Sequence, residues 1–240
     1  MRIVDIHCHI IPGVDDGAKN KQEAIEMLML QKEQGVVGII ATPHFRRGMF
    51  TSDINEVNKS YRWLRVKAQE LGIQLFLGRE CYVDEQLPEF LNTHAGYTIG
   101  KSNYVLVEFS SAHNYYAIRK YMVELMGDGY QPIMAHIDRV PKLENDLEAV
   151  EELLAMGIEI QVNAESILGK SGRKTKKWMM QLMKRDMIHY IASDSHNTLE
   201  RVPNLGKCYK YVKRRLGREY ARRIFYNNPM KILREYEGIS

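Results

Sequence analysis

Two histidines, His7 and His9, stand one residue apart in the strand-like segment that opens the sequence. Because side chains alternate across a β-strand, the two imidazoles project to the same side while Cys8 points away. A pair at this spacing chelates a metal ion, although a lone His-x-His is weak evidence for a site. Whether the pair belongs to a metal site depends on the other candidate ligands in the chain.

Further histidines and carboxylates stand at or near the ends of other predicted strands. Glu108 lies within the apolar run VLVEFS, where a buried acid is costly without a cation. Imidazole and carboxylate ligands without thiolates favour manganese, iron or zinc over a structural cysteine-type zinc site. The alternative is that some of the candidate residues are ordinary turn residues without a role in metal binding. The candidates are Asp15, Asp16, His44, Glu80, Glu108, His136, Asp194 and His196.

Seven short aliphatic runs predict buried strands, and helical patterns lie between most of them. This alternation predicts a parallel α/β sheet, which could close into a barrel or stay open as a doubly wound sheet. Closure into a barrel would bring all the strand ends to one mouth. The predicted strands are 3–9, 36–42, 73–78, 104–109, 132–136, 158–162 and 188–193. The predicted helices are 22–34, 54–71, 116–126, 146–156 and 174–185.

Glycines and one proline mark the ends of several helices. Asn228 followed by Pro229 is typical of an N-cap and first helical residue, so a closing helix is expected there. Glycine after a helix favours a left-handed cap. The glycines at such positions are Gly35, Gly72, Gly127, Gly129 and Gly157.

The chain has 240 residues, is 45% hydrophobic and has no long apolar run, so we expect one domain over residues 1–240 in a cytoplasmic protein that is not membrane-embedded. Its three scattered cysteines argue against disulfides. The net charge of +4 does not indicate nucleic-acid binding. The segment from Lys207 to Arg223 is strongly basic, which favours a solvated helical face over a docking site for an anionic partner.

Read in order, the motifs DIHCHIIPGVDDG, TPHFRRGMF, GRE, VEFS, AHIDR and ASDSH resemble those of the polymerase and histidinol phosphatase (PHP) superfamily. More narrowly, the chain is similar to the manganese-dependent protein-tyrosine phosphatases of bacterial capsule and exopolysaccharide operons. The resemblance extends from the opening strand to the segment YNNPMKIL. It implies a distorted (β/α)7 barrel holding up to three metal ions, with manganese expected and iron or zinc as alternatives.

The resemblance also implies roles for individual residues. Arg139 and Arg201 match arginines that grip the phosphate, although HNTLERVP departs from a more glycine-rich form of that loop. One metal would be held by His7, His9, Glu80 and Asp194, a second by Glu80, Glu108 and His136, and a third by Asp16, His44 and His196.

The activity implied is hydrolysis of phosphotyrosine by a metal-bound hydroxide, on the tail of a tyrosine autokinase that regulates polysaccharide synthesis. The alternatives are a small-molecule phosphatase acting on histidinol phosphate, a catalytically silent metal-binding regulator that holds phosphopeptides, and an amidohydrolase. His44 and Asp138 are weak candidates for a general acid.

Cys208 and Arg214 have the Cys-x5-Arg spacing of thiol-based tyrosine phosphatases. The five residues between them are Tyr-Lys-Tyr-Val-Lys, which are too bulky for a loop that wraps its backbone N–H groups around phosphate. The segment therefore predicts a basic helix and a cysteine without a catalytic role.

Overall fold

The computed structural model of the chain describes residues 1–237. Parallel strands dominate this part of the chain and form two adjoining sheets, ordered β1-β2-β4 and β3-β5-β6-β7-β8-β9. The strands are β1 (Ile3–Cys8), β2 (Val36–Ala41), β3 (His44–Phe45), β4 (Gln74–Leu77), β5 (Glu80–Tyr82), β6 (Tyr104–Glu108), β7 (Gln131–Met134), β8 (Glu159–Asn163) and β9 (Tyr190–Ala192).

The two sheets belong to one curled surface. β3 continues the path of β2 after two residues, and β5 continues that of β4, so the described strands occupy seven positions. The first and last positions meet where the His9 N–H donates to the Ser195 carbonyl (2.9 Å) and the Asp194 N–H donates to the His7 carbonyl (2.9 Å). The predicted distorted α/β barrel is confirmed.

Helices cover the outside of the strands. Several begin at side-chain caps: Asn20, Asn114 and Asp146 each accept a hydrogen bond from the backbone N–H three residues on. The helices are α1 (Lys21–Glu33), α2 (Ile54–Glu70), α3 (Leu87–Thr93), α4 (Tyr115–Gly127), α5 (Leu147–Ala155), α6 (Ala164–Leu168), α7 (Arg173–Lys184), α8 (Leu205–Leu216), α9 (Arg218–Arg222) and α10 (Asn228–Glu237).

The hydrophobic core has two parts. The larger lies between the strands and the outer helices. The smaller joins residues of the strands, such as Ile6, Leu106 and Ile133, with Ile232 and Leu233 of α10. The closing helix therefore completes the packing of the strand interior. No helix within residues 1–237 combines the length and apolar character that crossing a membrane requires.

Two local predictions were wrong. Gly127 is the last residue of α4 and does not have positive φ, unlike Gly129 (φ 87°), which follows the helix. Asn228 is helical (φ −66°, ψ −50°), because a π-helical turn over Arg223–Asn227 connects α9 to α10. Its side-chain amide donates to the His189 carbonyl (3.0 Å), so it makes a tertiary contact and not a helix cap.

Candidate metal centre

All nine residues of the predicted ligand set lie together at the carboxyl ends of the strands. We call this set the nine-residue cluster. His7 is on β1, with His9 just beyond it, His44 is on β3, Glu80 opens β5, Glu108 ends β6, His136 follows β7, Asp194 and His196 follow β9, and Asp16 is in the loop after β1.

Four buried atoms from three strand positions form the first group. The Nε2 atoms of His7 and His9 are 3.1 Å apart, and each is 3.1 Å from Oε2 of Glu80. Each is also 3.6 Å from Oδ1 of Asp194. Ligands about 2.0–2.2 Å from a metal ion lie about 3.0–3.6 Å from one another, so these separations suit one ion.

A second group shares Glu80 with the first. His136 Nε2 lies 2.7 Å from Oε1 of Glu80 and 3.7 Å from Oε1 of Glu108. This places Glu80 between two groups.

In the third group, the Nε2 atoms of His44 and His196 are each 3.5 Å from Oδ1 of Asp16. His44 Nδ1 also lies 3.0 Å from Oε2 of Glu80, which joins the third group to the other two.

The hydrogen bonds behind the cluster leave the metal-facing atoms free. Nδ1 of His7 contacts Oε1 of Gln161 (3.2 Å), and Nδ1 of His9 contacts Oδ2 of Asp15 (2.7 Å). A proton on each Nδ1 leaves the Nε2 lone pair directed into the cluster, which is the tautomer that a metal ligand needs.

Within the described chain, Oε2 of Glu80 and Nε2 of His196 are buried and make no hydrogen bond of good geometry, although three ring nitrogens lie 3.0–3.1 Å from the Glu80 oxygen. Unsatisfied buried polar atoms are destabilising unless a cation or water satisfies them. The donor set and these unsatisfied atoms therefore fit divalent ions.

The charges around the cluster lower the pKa of two of its buried acids, Asp194 and Glu80, whereas burial and the charge of Glu80 raise the pKa of Glu108. Burial by itself would raise the pKa of Asp194, but His7, Arg201 and Arg139 hold it well below the usual value. Burial would also raise the pKa of Glu80, but the neighbouring His7 and His44 hold that pKa well below its usual value.

The imidazoles of the cluster respond to their charged neighbours in opposite ways. Burial would lower the pKa of His9, but Asp15 and Glu80 raise it to about 10. Burial and the charge of His9 lower the pKa of His196 to about 4. A divalent ion that binds His9 must therefore displace a proton.

Three residues that hold the cluster were not predicted in that role from the sequence. Asp15, a candidate outside the nine ligands that the resemblance implies, has a fully buried carboxylate that accepts from His9 Nδ1 and from the His44 N–H (2.9 Å). On β8, Gln161 also accepts from the His136 N–H (2.8 Å), and Asn163 donates to Oδ2 of Asp194 (2.8 Å). The alternating polar residues of the buried segment QVN were a usable signal.

The two predicted phosphate-binding arginines lie at the edge of the cluster. Arg139 Nη1 is 2.9 Å and Arg201 Nη2 is 2.7 Å from Oδ2 of Asp194, the oxygen that also accepts from Asn163. Nε of Arg201 is buried and has no hydrogen-bond partner among the described residues. Both guanidiniums therefore border the metal-facing atoms, and one has a free donor.

Irregular backbone directs several of these side chains. Ile6 packs in the smaller core, inside the barrel, and the next residue, His7, also faces the inside of the barrel. Two consecutive residues can face the same side because the pairing of β1 with β2 shifts register between Asp5 and Cys8. His136 (φ 31°) and Asp194 (φ 49°) have positive φ. Such residues cost about 1–3 kcal/mol each and cluster at functional sites.

Among residues 1–237, the exposed side chains of the cluster are on the side of Asp16 and Glu108. The side chains of His7, His9 and Glu80 are fully buried, whereas those of Asp16 and Glu108 are 48% and 24% exposed. A substrate must therefore approach from the side of Asp16 and Glu108.

Two residues considered from the sequence have other surroundings. Asp138 accepts from the Asn163 N–H (3.1 Å) and the Ser166 hydroxyl (2.7 Å), which ties the turn after His136 to the end of β8. Cys208 is fully buried in α8, where burial raises the pKa of its thiol. The predicted helix around Cys208 is confirmed.

Fold and site together define an α/β-barrel protein whose strand ends form a centre able to bind several divalent ions. Residues 3–234 match the family described as capsular polysaccharide synthesis, CpsB/CapC. The chain belongs to this family.

Named relatives agree with this membership. The tyrosine-protein phosphatase CpsB of Streptococcus pneumoniae is 32% identical over 238 residues, which covers 96% of this chain and 98% of the relative. The crystal structures of YwqE from Bacillus subtilis and CpsB from S. pneumoniae are described as those of metal-dependent tyrosine phosphatases. A chain from these structures matches this protein with a TM-score of 0.87 and 25% identity, over 99% of this chain and 96% of the matched chain.

A more distant match shows the fold alone. It is the histidinol phosphate phosphatase of Lactococcus lactis, with a TM-score of 0.60, 16% identity and coverage of 92% and 94%.

Proposed function

We propose that this protein is a metal-dependent protein-tyrosine phosphatase that works as a single catalytic domain. The observation that carries the proposal is the convergence of nine imidazole and carboxylate ligands beside two arginines at the open end of the barrel. The CpsB/CapC family membership and the tyrosine phosphatases among its relatives support the same activity.

The nine-residue cluster would hold the ions in the three groups described above. When bound, the ions supply Lewis acidity and lower the pKa of water from about 15.7 toward about 7. Manganese is our proposed metal because the chain resembles manganese-dependent phosphatases. The imidazole and carboxylate donors, without thiolates, suit manganese and also the alternatives iron and zinc.

The residues of the chain itself bind and orient the phosphate. Arg139 and Arg201 place two guanidiniums next to Asp194, where their N–H groups can bond phosphate oxygens. The exposed side, at Asp16 and Glu108, admits the substrate. Phe50 stacks on His44 with ring centroids 5.0 Å apart, so an apolar surface lines part of this entrance.

The substrate that we propose is a phosphorylated tyrosine autokinase tail, in the cytoplasm, as part of the control of capsule or exopolysaccharide synthesis. A phenolate leaving group has a pKa of about 10, so its departure needs only charge neutralisation by a cation. A strong general acid is therefore unnecessary, which agrees with the structural role of the Asp138 carboxyl.

The test is phosphate release by protein stripped with a chelator and reloaded with manganese, iron or zinc. We expect the reloaded protein, and not the stripped one, to hydrolyse a phosphotyrosine peptide much faster than a phosphoserine peptide or histidinol phosphate. Full activity in protein shown by elemental analysis to be metal-free would refute the proposal. Tight phosphopeptide binding without phosphate release would instead identify a silent regulator.

A further inference from the structure

Basic residues are concentrated in the last third of the chain. Residues 170–234 contain eighteen lysines and arginines and four acids, whereas residues 1–169 contain sixteen and twenty-four. The modest net charge of +4 therefore hides two regions of opposite sign. Such asymmetry indicates an electrostatic interaction surface.

The basic region contains a groove between α7 and α8 with a volume of about 490 Å³. Its walls carry five cations and no acid. We call it the basic groove, and it is lined by Arg173, Lys176, Lys177, Met180, Lys184, Tyr211 and Arg215.

The cations of the groove are not neutralised by neighbours. In the part of the chain that the structure describes, the ion pairs of the adjoining segments are Arg185 with Glu151 and Arg223 with Asp186, which are not groove residues. Lys176 and Arg215 lie over the ring of Tyr211, with cation-to-centroid distances of 4.6 and 5.6 Å. Like charges held close together without a counter-charge favour an anionic ligand.

The segment just before α7 is tied to the loop that follows β9 and carries Arg201. Lys170, three residues before the start of α7, donates from Nζ to the carbonyl of Glu200 (3.0 Å). The next residue along the chain, Arg201, contacts Asp194 of the cluster. A chain that leaves the phosphate site past this loop therefore reaches Arg173 first and Lys184 last.

We propose that the basic groove binds an acidic polypeptide segment of the substrate, next to the phosphotyrosine that occupies the metal centre. This inference rests on the proposed phosphatase function and specifies its substrate as a phosphotyrosine polypeptide with an acidic segment. From Arg173 to Lys184, α7 extends about 17 Å at about 1.5 Å per residue. An extended peptide of about five residues covers that length.

The shape of the surface favours a peptide over a membrane. Within the described residues, none of the large exposed apolar side chains lies on α7 or α8. Surfaces that enter a lipid interface use Trp, Phe or Leu beside their cations. Single-stranded nucleic acid needs an open aromatic face for stacking, and the ring of Tyr211 is approached by Lys176, Arg214 and Arg215.

The test compares two phosphotyrosine peptides of equal length, one with Glu and Asp on both sides of the phosphotyrosine and one with Gln and Asn in their place. The groove variant combines Lys177→Glu, Lys184→Glu and Arg215→Glu, all at exposed positions. The control variant makes the same change in net charge at Lys59, Arg62 and Lys101, which are exposed and not groove residues.

At low ionic strength we expect the wild-type protein to have a KM about tenfold lower for the acidic peptide than for the neutral one, with similar kcat. The groove variant should lose this preference and the control variant should keep it. Free phosphotyrosine should be hydrolysed at the same rate by all three proteins, which verifies that the fold and the metal centre are intact.

Equal KM values for the two peptides in the wild type would overturn the inference and leave the phosphatase function standing. Loss of the preference in both variants would also overturn it, because the effect would then come from net charge alone. Binding of single-stranded DNA or of vesicles containing anionic lipid, without a peptide preference, would assign the groove to another partner. Failure to release phosphate from any phosphotyrosine substrate would instead refute the proposed function.

Discussion

Replacing Asp15 with asparagine keeps the size of the side chain and removes its charge. The Asp15 carboxylate accepts three hydrogen bonds, from His9 Nδ1 (2.7 Å), from the His44 N–H (2.9 Å) and from the Gly17 N–H (3.0 Å). An asparagine oxygen can accept the first two only if its NH2 group faces the third donor. The substitution therefore weakens the bond to His9 and opposes two donors at Gly17.

The expected effect of Asp15→Asn follows from the change in those bonds. A charge-assisted hydrogen bond contributes about 1.5–3 kcal/mol and a neutral one about 0.5–1.5 kcal/mol. Residues that orient a metal-binding histidine typically contribute a factor of about 10–100 in metal affinity, or about 1.4–2.7 kcal/mol. We therefore expect the affinity for manganese to fall by about ten- to a hundredfold.

The assay is competition for manganese with a chromophoric chelator, and circular dichroism of the metal-free variant verifies its fold. The matched control is Asp53→Asn, because Asp53 also accepts from a backbone N–H, that of Asn55 (2.6 Å), but caps α2 outside the cluster. If Asp15→Asn binds manganese within twofold of the wild type, Asp15 does not position His9 for metal binding.

Three further results are expected. Arg139→Ala should lower kcat/KM for phosphotyrosine by about ten- to a hundredfold with metal content retained, and an unchanged kcat/KM would rule out phosphate binding by Arg139. Cys208→Ser should keep most of the activity, and an inactive but folded, metal-loaded variant would contradict this. Burial lowers the pKa of His189 below 6.5, so its contribution to stability is present above that pH and is lost as pH falls. His189→Gln should therefore make the unfolding free energy of metal-loaded protein less pH-dependent below about pH 6.5. An unchanged pH dependence would contradict this role of His189.

The positions of the cluster residues at predicted strand ends are sufficient to predict from the sequence that they lie together. A parallel barrel places every carboxyl end at one mouth, so His7, His136 and Asp194 can be related without knowing any distance. Most of the strands are continuous buried apolar runs, which makes them recognisable in the sequence. The two-residue strand His44–Phe45 and the three-residue strand Glu80–Tyr82 are too short for such a signal.

Periodicity could not separate Asp15 from Asp16. The two acids are adjacent and identical in chemistry, yet Asp15 is buried behind His9 while Asp16 faces the mouth. Their different positions depend on the close approach of the loop to β1, where a Cβ at Gly17 would overlap the carbonyl oxygen of His9. Contacts of this kind form only in the tertiary structure, and so does the bond from Asn228 to the His189 carbonyl.

The hydrogen bonds that close the barrel also hold the irregular backbone of the site. The Asp194 N–H donates to the His7 carbonyl, which joins the last strand position to the first while fixing Asp194 at positive φ. Gln161 accepts from the His136 N–H and from Nδ1 of His7, so it fixes the other strained residue and a metal-facing imidazole together. The bonds from Asp194 to His7 and from His7 to Gln161 join strands that are not neighbours in the sheet order, so they form only when the strands have curled. Closure of the barrel and assembly of the metal centre therefore depend on the same hydrogen bonds.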